Sequence, residues 1–176
     1  MEGRGGPRIA FVGGGSYQWG PKIIPDVALN EWLRGGALVL HDINGEALED
    51  MYQWGTRALD VARADLKLEK TLKIEVALRG ADFVVLSIST GGLDATTLDL
   101  EIPARYGIVQ TVGDTVGPGG LFRGLQNIPV IVEIARDGEA LSRCRTVEPH
   151  QPANGSDKGR HQGHLHKSRR ALSRAV

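Results

Sequence analysis

Three groups of residues have types and spacings that could carry chemistry. The first is Gly13-Gly14-Gly15-Ser16, which follows the apolar run Arg8-Ile-Ala-Phe-Val and precedes Ile23, Ile24, Val27 and Leu29 at helical spacing. A strand that turns into a helix through glycines can lay its backbone against a pyrophosphate. Glycine adopts positive φ freely, and no Cβ blocks the first-turn N–H groups. Asp42, 27 residues beyond Gly15, closes a second apolar run at Ala37–His41. An acid there accepts the ribose hydroxyls of NAD and repels the 2′-phosphate of NADP. The fingerprint is incomplete, because its third glycine position holds Gln18. A tight strand-to-helix connection would use the same glycines, and Asp42 could instead cap a helix starting at Gly45-Glu46. The second group, Ser87-Ile-Ser89-Thr90-Gly91-Gly92, ends another apolar run. Small residues there suit the ribose and nicotinamide at the switch point of a parallel sheet, with Ser89 as the candidate contact. The third is Gln110-Thr-Val-Gly-Asp-Thr-Val-Gly-Pro-Gly-Gly-Leu-Phe-Arg123, the densest polar and glycine segment. It leads into a helix, and Asp114, Thr115 and Arg123 offer a substrate an acceptor, a hydroxyl and a cation. A flexible loop would have the same composition.

The elements that must position these groups read as alternating strands and helices. Strands are expected at 8–12, 37–41, 72–77, where Leu72, Ile74 and Val76 alternate with polar residues, and 81–89, whose near-continuous apolar run suits a strand covered on both faces. Helices are expected at 45–64, 94–106 and 119–141, with Pro129 kinking or breaking the last. The alternation predicts an α/β fold, a Rossmann-like parallel sheet with helices on both faces.

The chain has 176 residues, a length that suits one domain. One cysteine excludes a disulfide scaffold, and no C-x-x-C zinc spacing occurs. Polar and glycine residues interrupt the first thirty, so neither signal peptide nor membrane span is expected and the protein reads as cytoplasmic. The zero net charge conceals an asymmetry. Residues 1–140 carry 13 basic and 19 acidic side chains, whereas 141–176 carry 8 and 2 with four of the five histidines. A boundary is therefore expected near Leu141, with 142–176 a basic, disordered tail. Its charge would attract nucleic acid weakly, but no recognition fold accompanies it. Cys144, His150, His161, His164 and His166 are ligand types, but a solvated tail is expected here and not a metal site.

Ile9-Ala-Phe-Val-Gly-Gly-Gly-Ser-Tyr-Gln-Trp-Gly-Pro-Lys-Ile-Ile-Pro-Asp26, together with the Gln110–Arg123 segment and Asn127-Ile-Pro129, resembles the N-terminal part of glycoside hydrolase family 4. The resemblance runs to about Leu141. It implies an enzyme dependent on NAD and a divalent metal, usually manganese, acting on a small-molecule glycoside, 6-phosphorylated in some members, and a homo-oligomer at full length. It also implies a chemistry unlike that of two-carboxylate glycosidases. C3 of the sugar is oxidised, C2 is deprotonated, the glycosidic oxygen leaves from C1, and water adds before the hydride returns. Gly13, Gly15 and Ser16 would hold the pyrophosphate, Asp42 the adenosine ribose, and Asp114 with its loop the substrate or nicotinamide side. The catalytic base is expected beyond this chain. The family's Thr-Asn-Pro segment, metal Cys and His, and C2 base have no counterpart in register, so the 176 residues are expected to be an incompetent fragment. Shifting the reading frame of codons 150–162 by one nucleotide permits Thr-Asn-Pro-Leu-Thr-Ala-Leu-Thr-Lys-Ala-Val-Thr-Lys, so a frameshift near 141 would explain both the loss and the charge reversal. The alternatives are an NAD-dependent dehydrogenase of the malate or lactate type and a noncatalytic basic-tailed binding protein.

Overall fold

The computed structural model describes residues 6–141 and 145–147. Five parallel strands form one sheet in the order β3-β2-β1-β4-β5: β1 Arg8–Val12, β2 Gly36–His41, β3 Leu66–Thr71, β4 Phe83–Leu86 and β5 Arg145–Val147. The helices are α1 Gly20–Leu29, α2 Gly45–Ala62, α3 Ile74–Leu78, α4 Gly92–Ala104 and α5 Gly117–Leu141. The order reverses direction between β1 and β4, which creates the crevice at the C-terminal edge where α/β proteins of this winding place ligands.

Alternation along β1 and β2 divides the core. Ile9, Phe11, Leu38 and Leu40 point to the face covered by α1 and α2, where they meet Ile24, Leu48, Met51 and Leu59. Ala10, Val12 and Val39 point to the other face, against Ala77 and Leu78 of α3, with Ile131 and Ile134 of α5 packed on that cluster. Phe11, Leu38 and Leu40 are fully buried, each contributing about 1.5–3 kcal/mol by burial. The helices approach closely at glycines. A Cβ on Gly20 would lie 2.4 Å from the Met51 sulfur, and one on Gly55 would lie 2.8 Å from Leu68.

One expectation changes and another narrows. The strand expected at 72–77 is instead β3 at Leu66–Thr71, followed by α3. As an edge strand β3 rests only Leu66 and Leu68 on the α1/α2 core, so charged Lys67, Glu69 and Lys70 mask its pattern. Ile74, Ala77 and Leu78 are the i, i+3, i+4 face of a helix, while Leu72 and Val76 are exposed. Pro129 does not break α5, which runs unbroken to Leu141; Ile131 and Ile134 beyond it hold the helix on the sheet. At the edge of the sheet, β5 pairs with β4 through Phe83↔Arg145, Val84↔Thr146 and Val85↔Val147. Cys144, His150, His161, His164 and His166 lie outside the described residues.

Candidate functional site

Every strand runs the same way, so the segments after β1, β2 and β4 meet at one edge. Gly13 takes φ +88°, and its N–H and that of Gly14 both donate to the His41 carbonyl, at 2.9 and 2.8 Å. A Cβ on Gly13 would sit 1.8 Å from the Ser87 carbonyl oxygen, and one on Gly14 would sit 2.8 Å from Leu40 Cβ. The turn is thus wedged between the ends of β2 and β4, and only glycine fits at Gly13. The Ser16 N–H donates to the Gly13 carbonyl, and the Ser16 hydroxyl accepts the Trp19 N–H at 3.2 Å, leading into α1. Gln18 at the third fingerprint position is exposed. The close helix packing that a glycine there provides falls instead to Gly20 against Met51.

Asp42 faces this turn. Its Oδ2 accepts the Gly15 N–H at 2.9 Å, and its Oδ1 accepts the Asn44 N–H at 3.0 Å. It does not cap α2, because Asn44 does, its side chain accepting from the amides of Glu46 and Ala47. A Cβ on Gly15 would meet Asp42 Oδ2 at 3.0 Å and Ala47 at 3.1 Å, so this glycine makes room for α2. The amides of Tyr17 and Gln18, between Ser16 and α1, have no hydrogen-bond partner among the described residues. His41, buried beneath the turn, has an Nδ1 without a partner. Burial lowers its pKa, partly opposed by the charge of Asp42, a backbone contact at Leu72 and the charge of Glu75.

Ser89, Asp114 and Arg123 form a second group. Arg123 Nη1 donates to the Ser89 hydroxyl at 2.8 Å and Nη2 to the Thr96 hydroxyl at 2.6 Å. Its guanidinium also lies 3.7 Å from the Asp99 carboxylate and 3.9 Å from that of Asp114. In the free protein its nitrogens are thus engaged by Ser89, Thr96, Asp99 and Asp114. Asp114 is half-exposed and Thr115 exposed. Asn127 Oδ1 accepts the Thr90 N–H at 2.9 Å, and Gln110 bridges the Val116 carbonyl and the Gly119 amide. Asp99 and Gln126 are not singled out by the sequence. Asp99 is a buried acid flanked by Leu98 and Leu100 of α4, and nothing in the sequence pairs it with a residue 24 positions on.

Sheet order and the glycine turn after β1 define a Rossmann-like α/β domain. The model of the glycosyl hydrolase family 4 matches residues 8–146, and the chain belongs to that family. An alpha-galacturonidase of Bacillus subtilis is 38% identical over 129 residues, 73% of this chain and 28% of that one. The crystal structure of Bacillus subtilis lplD, described as a glucosidase, matches with TM-score 0.74 at 33% identity, over 84% of this chain and 33% of that one. The 6-phospho-beta glucosidase of Thermotoga maritima, solved with manganese, NAD+ and glucose-6-phosphate, shares the fold with TM-score 0.72 at 24% identity, over 83% and 35% of the two chains. The chain therefore spans about a third or less of the relatives it matches. Family membership favours the glycosidase reading over a dehydrogenase of the malate or lactate type. Among the described residues no helix is long and apolar enough to cross a membrane.

Proposed function

We propose that this chain is the NAD-binding portion of a family 4 glycosidase. The Asp42 carboxylate, 2.9 Å from the Gly15 amide, carries the reading. Each carboxylate oxygen has two lone pairs and gives one to a backbone N–H, so each retains one for a ribose hydroxyl. The unpartnered amides of Tyr17 and Gln18, ahead of the α1 N-terminus, suit a pyrophosphate. Gly13, Gly15 and Ser16 shape the turn that presents them. Ser89 lies on the neighbouring edge, where a nicotinamide ribose would reach. NAD in the Thermotoga maritima structure of the same fold supports the assignment.

When bound, NAD supplies a hydride acceptor, and transient oxidation at a sugar carbon acidifies the neighbouring C–H. The chain's own residues bind and orient: Asp42 fixes the adenosine end and disfavours a 2′-phosphate, and Asp114, paired with Arg123, offers an acceptor for sugar hydroxyls. Manganese does not fit the described residues, because no group of three or more His, Cys, Asp or Glu side chains gathers among them; no step through a metal is assigned to them. The proposed substrate is an O-glycoside, consistent with the names of the relatives, and its 6-phosphate is to be tested beside the free sugar. Calorimetric titration with NAD and NADP tests the reading. NAD should bind in preference to NADP; binding of neither, or preference for NADP, would remove it.

A further inference from the structure

One face of α5 ties together three segments of the crevice. Gly119, Arg123, Gln126 and Asn127 recur at helical spacing on it. Arg123 reaches Ser89, Thr96, Asp99 and Asp114; Gln126 donates to Asp99 Oδ1 at 3.3 Å, and Asn127 holds the Thr90 amide. At Gly119 the backbones converge. A Cβ there would lie 2.9 Å from Gly113 Cα and 3.0 Å from the Asp99 carbonyl oxygen. The side chains of Arg123 and Asp99 are 14% and 5% exposed. Burying two charges is costly unless their geometry is used, and here Arg123 Nε, Asp99 Oδ2 and Gln126 Oε1 remain buried without a hydrogen bond. Two of the five guanidinium N–H donors are taken by Ser89 and Thr96, and the charge is shared between Asp99 and Asp114.

We propose that Arg123 is a positioning residue. With Asp99 and Gln126 it forms a buried knot that fixes the Ser89–Gly92 turn and the Asp114 loop relative to α4 and α5, and it touches no ligand itself. The knot stands on the geometry alone; its consequence for cofactor affinity rests on the NAD reading above, and the two can fail separately. Arg123 acts on the nicotinamide half of the crevice, at the end of β4, and not on the adenosine half at Asp42.

The test is Arg123→Lys. Lysine keeps a charge opposite Asp99 and Asp114 but cannot span Ser89 and Thr96 together. Hydrogen exchange should quicken by about tenfold or more at Thr90 and Gly119 and remain unchanged at Ala10 and Leu40, the signature of local opening. NAD should bind about tenfold more weakly, a loss of about 1.4 kcal/mol, while ADP, which has no nicotinamide half, should bind as before. Wild-type exchange at Thr90 and Gly119 would overturn the proposal, as would equal weakening of NAD and ADP. Weaker NAD binding with unaltered exchange would make Arg123 a ligand contact and also overturn it. If the wild-type chain binds neither nucleotide, the NAD reading fails and the exchange data alone decide on the knot. Should the lysine variant not fold, Thr96→Val removes one Arg123 acceptor without altering shape. It should show both effects in smaller degree, and wild-type behaviour would overturn the proposal.

Discussion

Replacing Asp42 by asparagine separates two roles of one carboxylate. In the native chain two amides, Gly15 and Asn44, each reach a different oxygen of Asp42, at 2.9 and 3.0 Å. Asparagine offers one oxygen and turns an NH2 toward the other amide, so one of the two bonds is lost and the survivor loses its charge. Hydrogen bonds to charged groups contribute about 1.5–3 kcal/mol and neutral ones about 1. A partly exposed site in which water can replace the lost partner should therefore cost about 1–2 kcal/mol. That corresponds to a melting temperature lower by roughly 3–8 °C in a chain of this length. The binding role is of similar size and is read separately. A 2′-phosphate charge about 4 Å from the carboxylate is repelled by on the order of 4 kcal/mol at an effective dielectric of 20. If salt and water leave a third of that, about 1.4 kcal/mol, the preference is tenfold. Calorimetry with NAD and NADP on both proteins, at low and high salt, reads the ratio directly. Asp42→Asn should reduce the NAD-over-NADP ratio at least about tenfold at low salt and less at high salt. A lowered melting temperature with an unchanged ratio would show that Asp42 only fastens the glycine turn to the start of α2.

What could be read from the letters differs by element for physical reasons. The central strands were legible because β1, β2 and β4 are covered on both faces and their apolar runs have few competing interpretations. The edge strand was not, since β3 covers one face only and its Lys67, Glu69 and Lys70 look like a surface loop. The alternation of Leu72, Ile74 and Val76 that seemed to supply the missing strand was incidental; the buried positions are Ala77 and Leu78. At the site, glycine and acid types signalled where the turn and Asp42 would lie, but not how they are used. The Asp42 cap was wrong by two residues, because Asn44 has the geometry to accept two helix amides. Gly15 packs against Ala47, a role its type alone does not indicate. The Arg123 knot lay beyond reach, since its partners are spread over 34 residues and only the fold brings Ser89, Thr96, Asp99 and Asp114 to one guanidinium.

The glycines of the turn should rank by what a methyl group would meet. Gly13→Ala, at φ +88° and 1.8 Å from a backbone carbonyl, should lower the melting temperature more than Gly15→Ala, whose neighbours are 3.0 Å or more away; the reverse order would refute the wedged turn. His41, whose pKa burial lowers, binds fewer protons folded than unfolded, so its contribution is present above pH 6.5 and declines as pH falls below it. The slope is at most about 1.4 kcal/mol per pH unit, and His41→Gln should flatten urea-derived stability between pH 7 and 5. Turnover should be absent when the purified chain is given NAD, manganese, reductant and nitrophenyl glycosides or their 6-phosphates. Proton abstraction needs a held base, worth about 10²–10⁴-fold by itself, and any metal-dependent nitrophenol release would refute the proposed division of labour. The last expectation concerns α4, the loop after it and the start of α5. Leu93, Leu98, Val109, Val112, Leu121 and Leu125 are all at least half exposed, and α4 carries apolar residues on nearly every side, the pattern of a helix that is normally covered. Patches of this kind on an isolated domain favour association. Sedimentation should therefore show concentration-dependent self-association that Leu98→Glu and Leu125→Glu together abolish while leaving NAD affinity intact. A strictly monomeric wild-type chain would mean that this surface is tolerated in water, and the argument from its exposure would fall.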